Sequence, residues 1–277
     1  MPNNARKPAP AVKFTHEEKM MFPEARLTKG DLLKYYDQVA DKLLPYLRDR
    51  PVTLERLPDG VGEGKPHFWQ KNSPDYYPDW IGRFPLPNER GETVNYAMVN
   101  DKPSLLYLVN QGAVTFHPFF STADDPDHPT FVVFDIDPHQ STFANAVKVA
   151  KVLHKVLEAR KVKPLLKTTG KSGLHVIAPW KRGDFDKARA WALEIATEVV
   201  DQIPDIATLE RNIKKRGDRV YLDVMQNSPG KHAVPPYVVR TTPTATISMP
   251  LKWTNLNAKL DPKKFTIKTA MRWLKDA

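Results

Sequence analysis

Phe131-Val-Val-Phe-Asp-Ile-Asp-Pro138 is an apolar, β-type run that ends in two carboxylates, Asp135 and Asp137, spaced i and i+2. Side chains alternate across a strand, so both carboxylates point to one face, with roots roughly 6–7 Å apart. Like charges at a strand end repel, and a divalent cation between them removes the conflict. The stretch therefore predicts a strand over 131–137 that carries half of a metal site. Two aspartates at a strand end can equally be solvated or cap the next helix, so the reading turns on a third. Arg219-Val-Tyr-Leu-Asp223-Val-Met225 places an aspartate inside another β-type run, where it is costly unless paired or metal-bound. If the two strands are neighbours, three carboxylates converge into the all-oxygen ligand set of a two-metal site suited to Mg²⁺ or Mn²⁺.

The pattern around these strands sets the fold. Apolar positions Val147, Val149, Val152, Leu153, Val156 and Leu157 predict a helix over 143–160, followed by a strand over 164–168, a turn at 171–173 and a strand over 174–179. A second helix over 186–201 carries Trp191, Ile195 and Val199, and a further strand spans 220–225. Strand–helix–strand–strand–helix–strand predicts an α+β fold, a split βαβ sheet with helices on one face. Upstream, Thr28 and Asp31 have capping-box spacing, and Leu32, Leu33, Tyr36, Val39, Ala40, Leu43, Leu44 and Leu47 then recur at helical intervals. Strands are predicted over 52–56, 93–99 and 113–119, a turn at 58–60 and a short helix over 104–110. Residues 72–92, rich in Pro, Tyr and Asp, read as irregular. Residues 124–130 read as a polar loop and the best internal boundary. Residues 1–11 read as a disordered tail. The rest, 12–277, reads as one domain, with an N-terminal module over 12–123, a catalytic sheet over 131–250 and a C-terminal segment over 251–277.

Composition narrows the chemistry. The 277 residues include no cysteine, which excludes disulfides, thiolate zinc sites and cysteine nucleophiles. Mean hydropathy is −0.50, no apolar run of membrane-spanning length is present, and the first residues lack a secretory signal, so a cytoplasmic protein is expected. The formal net charge of +10 points to a polyanion partner such as nucleic acid.

Thr168-Thr-Gly-Lys-Ser-Gly-Leu-His175 invites a P-loop reading that fails, because Leu165 stands where that motif needs glycine and a strand follows instead of a helix. A glycine-flanked hairpin turn fits better. Its amides, Lys171, the Ser172 hydroxyl and Gly173 are then candidates to hold a triphosphate, with His175 aimed at the same ligand. A buried structural histidine is the plain alternative. Arg211, Lys214, Lys215, Arg216 and Arg219 crowd before Asp223, and Lys231, His232 and Arg240 follow it. Lys214 and Lys215 read as solvated, whereas Arg216 and Arg240 lie near strands that should face the site. In His67-Phe-Trp-Gln-Lys71, Phe68 and Trp69 beside Lys71 are candidates for base stacking, with at least one of the two rings expected in the core. Lys19 and Lys29 precede and open the first helix, a place that favours a bound phosphate. His117 is a candidate to reach the sheet from the opposite side.

Together these residues resemble a known family. Asp135-Ile-Asp137-Pro, Ser172-Gly-Leu-His175 and Asp223 resemble the three signature motifs of the archaeo-eukaryotic primase superfamily. Thr15-His-Glu-Glu-Lys19, Phe22-Pro, Thr28-Lys-Gly-Asp31, Tyr35-Tyr, Arg50-Pro-Val, Arg56-Leu-Pro-Asp-Gly60 and Phe68-Trp-Gln-Lys71 resemble the polymerase domain of bacterial DNA ligase D. So do Gln226-Asn227, Pro236-Tyr237-Val-Val-Arg240 and residues 244–250, and the resemblance covers about 12–275. It implies a primase-type catalytic sheet, mixed or antiparallel and flanked by helices, with an N-terminal α/β module packed against it. Asp135, Asp137 and Asp223 would bind two ions, Mn²⁺ favoured over Mg²⁺. Lys171, Ser172, His175 and Arg240 would contact the triphosphate, and Lys19 and Lys29 a 5′-phosphate across a gap. Phe68 and Trp69 would stack on the template, while His117 and Arg216 support the nucleotide and primer strand. The implied activity is template-directed nucleotidyl transfer from NTP or dNTP, ribonucleotides often preferred, which extends DNA ends and fills short gaps. A DNA ligase and end-binding Ku are the implied partners, in the bacterial cytoplasm at the nucleoid. The chain departs from the pattern at His16, Trp69 and Val234-Pro-Pro236-Tyr, positions that bear on DNA contacts. It carries no ligase or nuclease motif, as expected of an excised domain or a stand-alone relative. The rival readings are a metal-dependent nuclease and a non-catalytic DNA-end-binding module.

Overall fold

The computed structural model describes residues 11–88 and 90–273, with the side chain of Met271 excepted. The tail read over 1–11 lies outside these residues apart from Ala11, as does the end of the C-terminal segment, 274–277. The chain divides into two compact units: one runs through Phe119 and includes Thr241–Ala245, the other takes Phe120–Arg240 and continues from Thr246.

In the first unit, helix α1 (Lys29–Leu47) starts where its capping box predicts: Thr28 Oγ1 accepts from the Asp31 amide, and the Asp31 carboxylate accepts from the Thr28 amide. Its apolar stripe is buried, and Tyr36 donates from its hydroxyl to the Val114 carbonyl (2.5 Å) and packs edge-on against Phe116. The sheet is antiparallel. Strand β1 (Pro51–Arg56) pairs with β2 (Phe68–Gln70), with β4 (Thr93–Met98) and with β5 (Ala113–Pro118), and β3 (Arg83–Pro87) pairs with β4 at the edge. Helix α2 (Lys102–Asn110) is capped by Asp101. Strand β3 corrects the irregular reading of 72–92. Pro85 and Pro87 cannot donate to a ladder, but an edge strand tolerates them.

The second unit holds β6 (Phe131–Asp137), α3 (Phe143–Ala159), β7 (Leu165–Thr168), β8 (Leu174–Pro179), α4 (Phe185–Gln202) and β9 (Val220–Asp223). The spatial order β9-β6-β8-β7 is antiparallel throughout, extended at its ends by Ala207–Thr208, parallel to β9, and by Pro250–Leu251. One sheet face is apolar: Val132, Phe134, Ile136, Leu166, Leu174, Val176 and Leu222 bury against Val149, Leu153, Ile195 and Val199 of the helices. This is the α+β split-βαβ sheet the sequence predicts. The polar loop read over 124–130 is instead a strand, Asp125–Pro129, paired with Ser121–Thr122 in a two-stranded ribbon. Strand β9 ends at Asp223, short of 225, because the Asp223 carboxylate accepts from the Met225 amide (2.8 Å) and turns the chain. Among the described residues no helix is long and apolar enough to cross a membrane.

Candidate active site

The second unit's other sheet face carries a polar row. Register sets Asp223 opposite Asp135, Asp135 opposite His175, and His175 opposite Lys167, across four adjacent strands. Asp137 lies two residues from Asp135 on the same face, opposite Tyr221. The register therefore sets the three aspartates on one face of two adjacent strands, β6 and β9. Directly opposed side chains sit with Cβ atoms about 4.5–5.5 Å apart, and like charges so placed destabilise a sheet. His175 offsets part of this, with Nε2 3.4 Å from Asp135 Oδ1. Burial pushes the Asp135 carboxyl up, but His175, Lys167 and Arg240 outweigh it and hold its pKa below the ordinary carboxylate value. Burial, then Lys167, lowers the pKa of His175.

Three carboxylates on one face are the hard, all-oxygen donors that Mg²⁺ or Mn²⁺ takes, so the residues fit a divalent metal. Each is turned to a local donor. Asp137 Oδ1 accepts from the His139 amide (3.1 Å), Asp223 Oδ2 from the Gln226 side chain (3.4 Å), and Asp135 faces His175. Accordingly, among the described residues no three acidic or histidine side chains already converge at ion-binding distance.

The turn between β7 and β8 is held from within. Thr169 Oγ1 accepts from the amides of Lys171 and Gly173, both at 3.1 Å, and Arg240 Nη1 donates to the Thr169 carbonyl (3.1 Å). Those two amides are thus engaged, and the turn presents the exposed side chains of Lys171 and Ser172. Gly170 has φ +73°, the left-handed region where glycine is favoured. At Gly173 a β-carbon would collide with the Ile136 carbonyl oxygen beside Asp135 and Asp137. Gly173→Ala is expected to lower stability by about 1–3 kcal/mol, read by denaturant unfolding. An unchanged unfolding midpoint would contradict this tight approach.

Arg216 and Tyr221 support the Asp223 end. The Arg216 guanidinium lies 3.8 Å over the Tyr221 ring and donates to the carbonyls of Glu210 (2.9 Å) and Arg211 (3.0 Å), so this side chain is directed inward. Burial, then the Asp223 charge, pushes the Tyr221 phenol up to about 12.

The first unit carries the remaining candidates. Phe68 and Trp69 point to opposite faces of β2, yet both stay exposed, at 42% and 49%, so neither ring is in the core as one was expected to be. Phe68 packs against the Arg56 guanidinium (5.3 Å) and Trp69 against the His117 ring (4.5 Å). Buried Glu55, missed in the sequence, receives His67 at Oε1 (2.8 Å) and faces His117 at Oε2 (3.6 Å). Lys71 is exposed. Lys19 pairs with Asp59 (2.6 Å), and buried Lys29 donates to the Thr15 carbonyl (2.6 Å). Burial, then Lys19, lowers the pKa of Lys29. The first α1 amides are engaged as well, by the carbonyls of Lys19 and Glu17.

Residues 28–277 match the family described as LigD, primase-polymerase domain. The chain is 33% identical over 96% of its length to the bifunctional non-homologous end joining protein LigD of Bacillus subtilis, covering 43% of that protein. It is 27% identical over 87% of its length to the multifunctional non-homologous end joining protein LigD of Mycolicibacterium smegmatis, covering 32% of it. The chain thus spans less than half the length of these relatives. A solved structure, the polymerase domain of Mycobacterium tuberculosis ligase D in complex with DNA, superposes with TM-score 0.85 at 25% identity, over 96% of this chain and 99% of that one.

Proposed function

The chain belongs to the LigD primase-polymerase domain family, nucleotidyltransferases that work with a divalent metal and a nucleoside triphosphate, and from that membership we propose that it extends DNA ends and fills short gaps bearing a 5′-phosphate. The observation that carries the proposal is the register of Asp223 opposite Asp135, with Asp137 on the same face. Asp135, Asp137 and Asp223 hold the metal. Bound there, divalent ions acidify the primer 3′-hydroxyl and offset charge on the departing pyrophosphate. The chain's own residues position the reactants. Lys171, Ser172, His175 and Arg240 hold the triphosphate, Gly173 lets their turn lie close against β6, and His117 contacts the nucleotide. Trp69 and Phe68 stack on bases, and Lys71 meets the backbone. Arg216 supports the primer strand through Tyr221. In this reading residues 12–123 grip DNA and 131–250 form the catalytic sheet. Mn²⁺ is favoured over Mg²⁺, ribonucleotides over deoxyribonucleotides, and a DNA ligase with Ku completes the repair.

Primer extension on a gapped duplex tests this, with NTP against dNTP and Mn²⁺ against Mg²⁺. Lengthening that requires nucleotide supports the proposal. Shortening of the primer without nucleotide would point to a nuclease, and intact 5′-phosphate-dependent binding with no extension under any metal to an end-binding module. Replacing Lys19 and Lys29 together by alanine should weaken binding to a 5′-phosphorylated gap by roughly tenfold or more, from the loss of charge-assisted contacts. Binding to the unphosphorylated gap should be unchanged. Equal loss on both gaps would make these lysines general backbone contacts.

A further inference from the structure

Lys167 is the most deeply buried cation among the described residues: 0% exposed, in the middle of the four-residue strand β7. A buried lysine needs a reason, because its desolvation is unfavourable. Its amine is 2.8 Å from His175 Nδ1, 2.8 Å from Ser248 Oγ and 3.3 Å from the Thr168 carbonyl. The Ser248 hydroxyl donates its only proton to that same carbonyl (2.9 Å), so its oxygen must accept from Lys167. On the far side of the imidazole, Nε2 faces Asp135 Oδ1, a carboxylate that only accepts. A proton on Nε2 satisfies that contact, and with Lys167 donating at 2.8 Å Nδ1 is the acceptor. Lys167, as ammonium or as amine, has an N–H to give it.

We propose that Lys167 is a positioning residue that locks His175 in its Nε2–H tautomer, so that the imidazole presents a fixed donor toward the aspartates and the incoming triphosphate. The part concerning triphosphate rests on the function proposed above; the tautomer lock does not. Its partners come from three places in the chain, β7, β8 and Ser248 just before the Pro250–Leu251 strand, so the lock forms only in the folded sheet.

The test is ¹⁵N NMR of the His175 imidazole in the metal-free, DNA-free chain, beside steady-state kinetics with ATP and Mn²⁺. The wild type should show Nε2–H with Nδ1 bare. Lys167→Met should give a mixture or the Nδ1–H form and raise the ATP KM by roughly tenfold, with DNA affinity unchanged. Lys167→Gln, which keeps an N–H donor, should restore part of both. A wild-type imidazole protonated at Nδ1, measurable even if Lys167→Met does not fold, would overturn the lock. So would a Lys167→Met protein whose Nε2–H form persists. A tautomer that shifts while the ATP KM stays at its wild-type value would leave the lock standing and remove His175 from the triphosphate site.

Discussion

Asp137→Ala is expected to abolish primer extension while leaving DNA binding intact. Asp137 is half-buried at the end of β6, and its one local bond is with the His139 amide (3.1 Å), so its removal leaves the packing of Ile136 and Phe134 untouched. In the proposed site its loss takes away one of three carboxylates that would neutralise and position the ions. Metal stabilisation of the transition state is worth several kcal/mol, which sets the expected fall at about 10³-fold or more. Affinity for DNA should hold or rise slightly, because a negative charge near the polyanion has been removed. Chelation of divalent ions should reproduce the defect in the wild type. Normal extension by a purified, folded Asp137→Ala protein would refute the metal site as assigned.

The second large effect is on folding. Strand β9 stops at Asp223, so the next stretch of β6 lacks a neighbouring strand on that side. Asn227 takes its place. Its Oδ1 accepts from the Val133 amide and its Nδ2 donates to the Val133 carbonyl, both at 2.8 Å, and Nδ2 also donates to the Val224 carbonyl at 2.8 Å. The side-chain amide imitates a peptide group and fastens the turn after Asp223 to the strand that carries Asp135. Asn227→Ala leaves both Val133 groups buried without that partner, at a cost of about 2–5 kcal/mol. Denaturant unfolding should show this loss, and metal affinity should fall with it because Asp223 is no longer held opposite Asp135. A variant as stable as the wild type would mean that another group takes over the Val133 bonds.

The aspartates were legible because a carboxylate in an apolar, alternating run is conspicuous without a partner. The order of strands and helices then makes β6 and β9 neighbours. Lys167 obeys the same logic as Asp223, a charge among Leu165, Leu166 and Thr168, but its strand is so short that the lysine reads as an ordinary strand end until register sets it beside His175. Glu55 escaped notice for a similar reason: next to Arg56 at the strand's end, it looks like surface, yet its parity directs it to the face shared with Thr115 and Trp69. Strand β3 was hidden by Pro85 and Pro87, whose meaning depends on whether a strand is an edge, a tertiary fact. Asn227 was visible as part of a familiar pair with Gln226, but that its amide completes a ladder is set only by the fold.

Diffraction from crystals grown with Mn²⁺ and a non-hydrolysable nucleoside triphosphate, with data collected at the manganese edge, tests the central claim most directly. Two anomalous peaks ligated among Asp135, Asp137 and Asp223, with triphosphate oxygens completing their shells, are the predicted result. Manganese bound elsewhere, or bound to the β6 pair while Asp223 keeps its bonds to Met225 and Gln226, would contradict it.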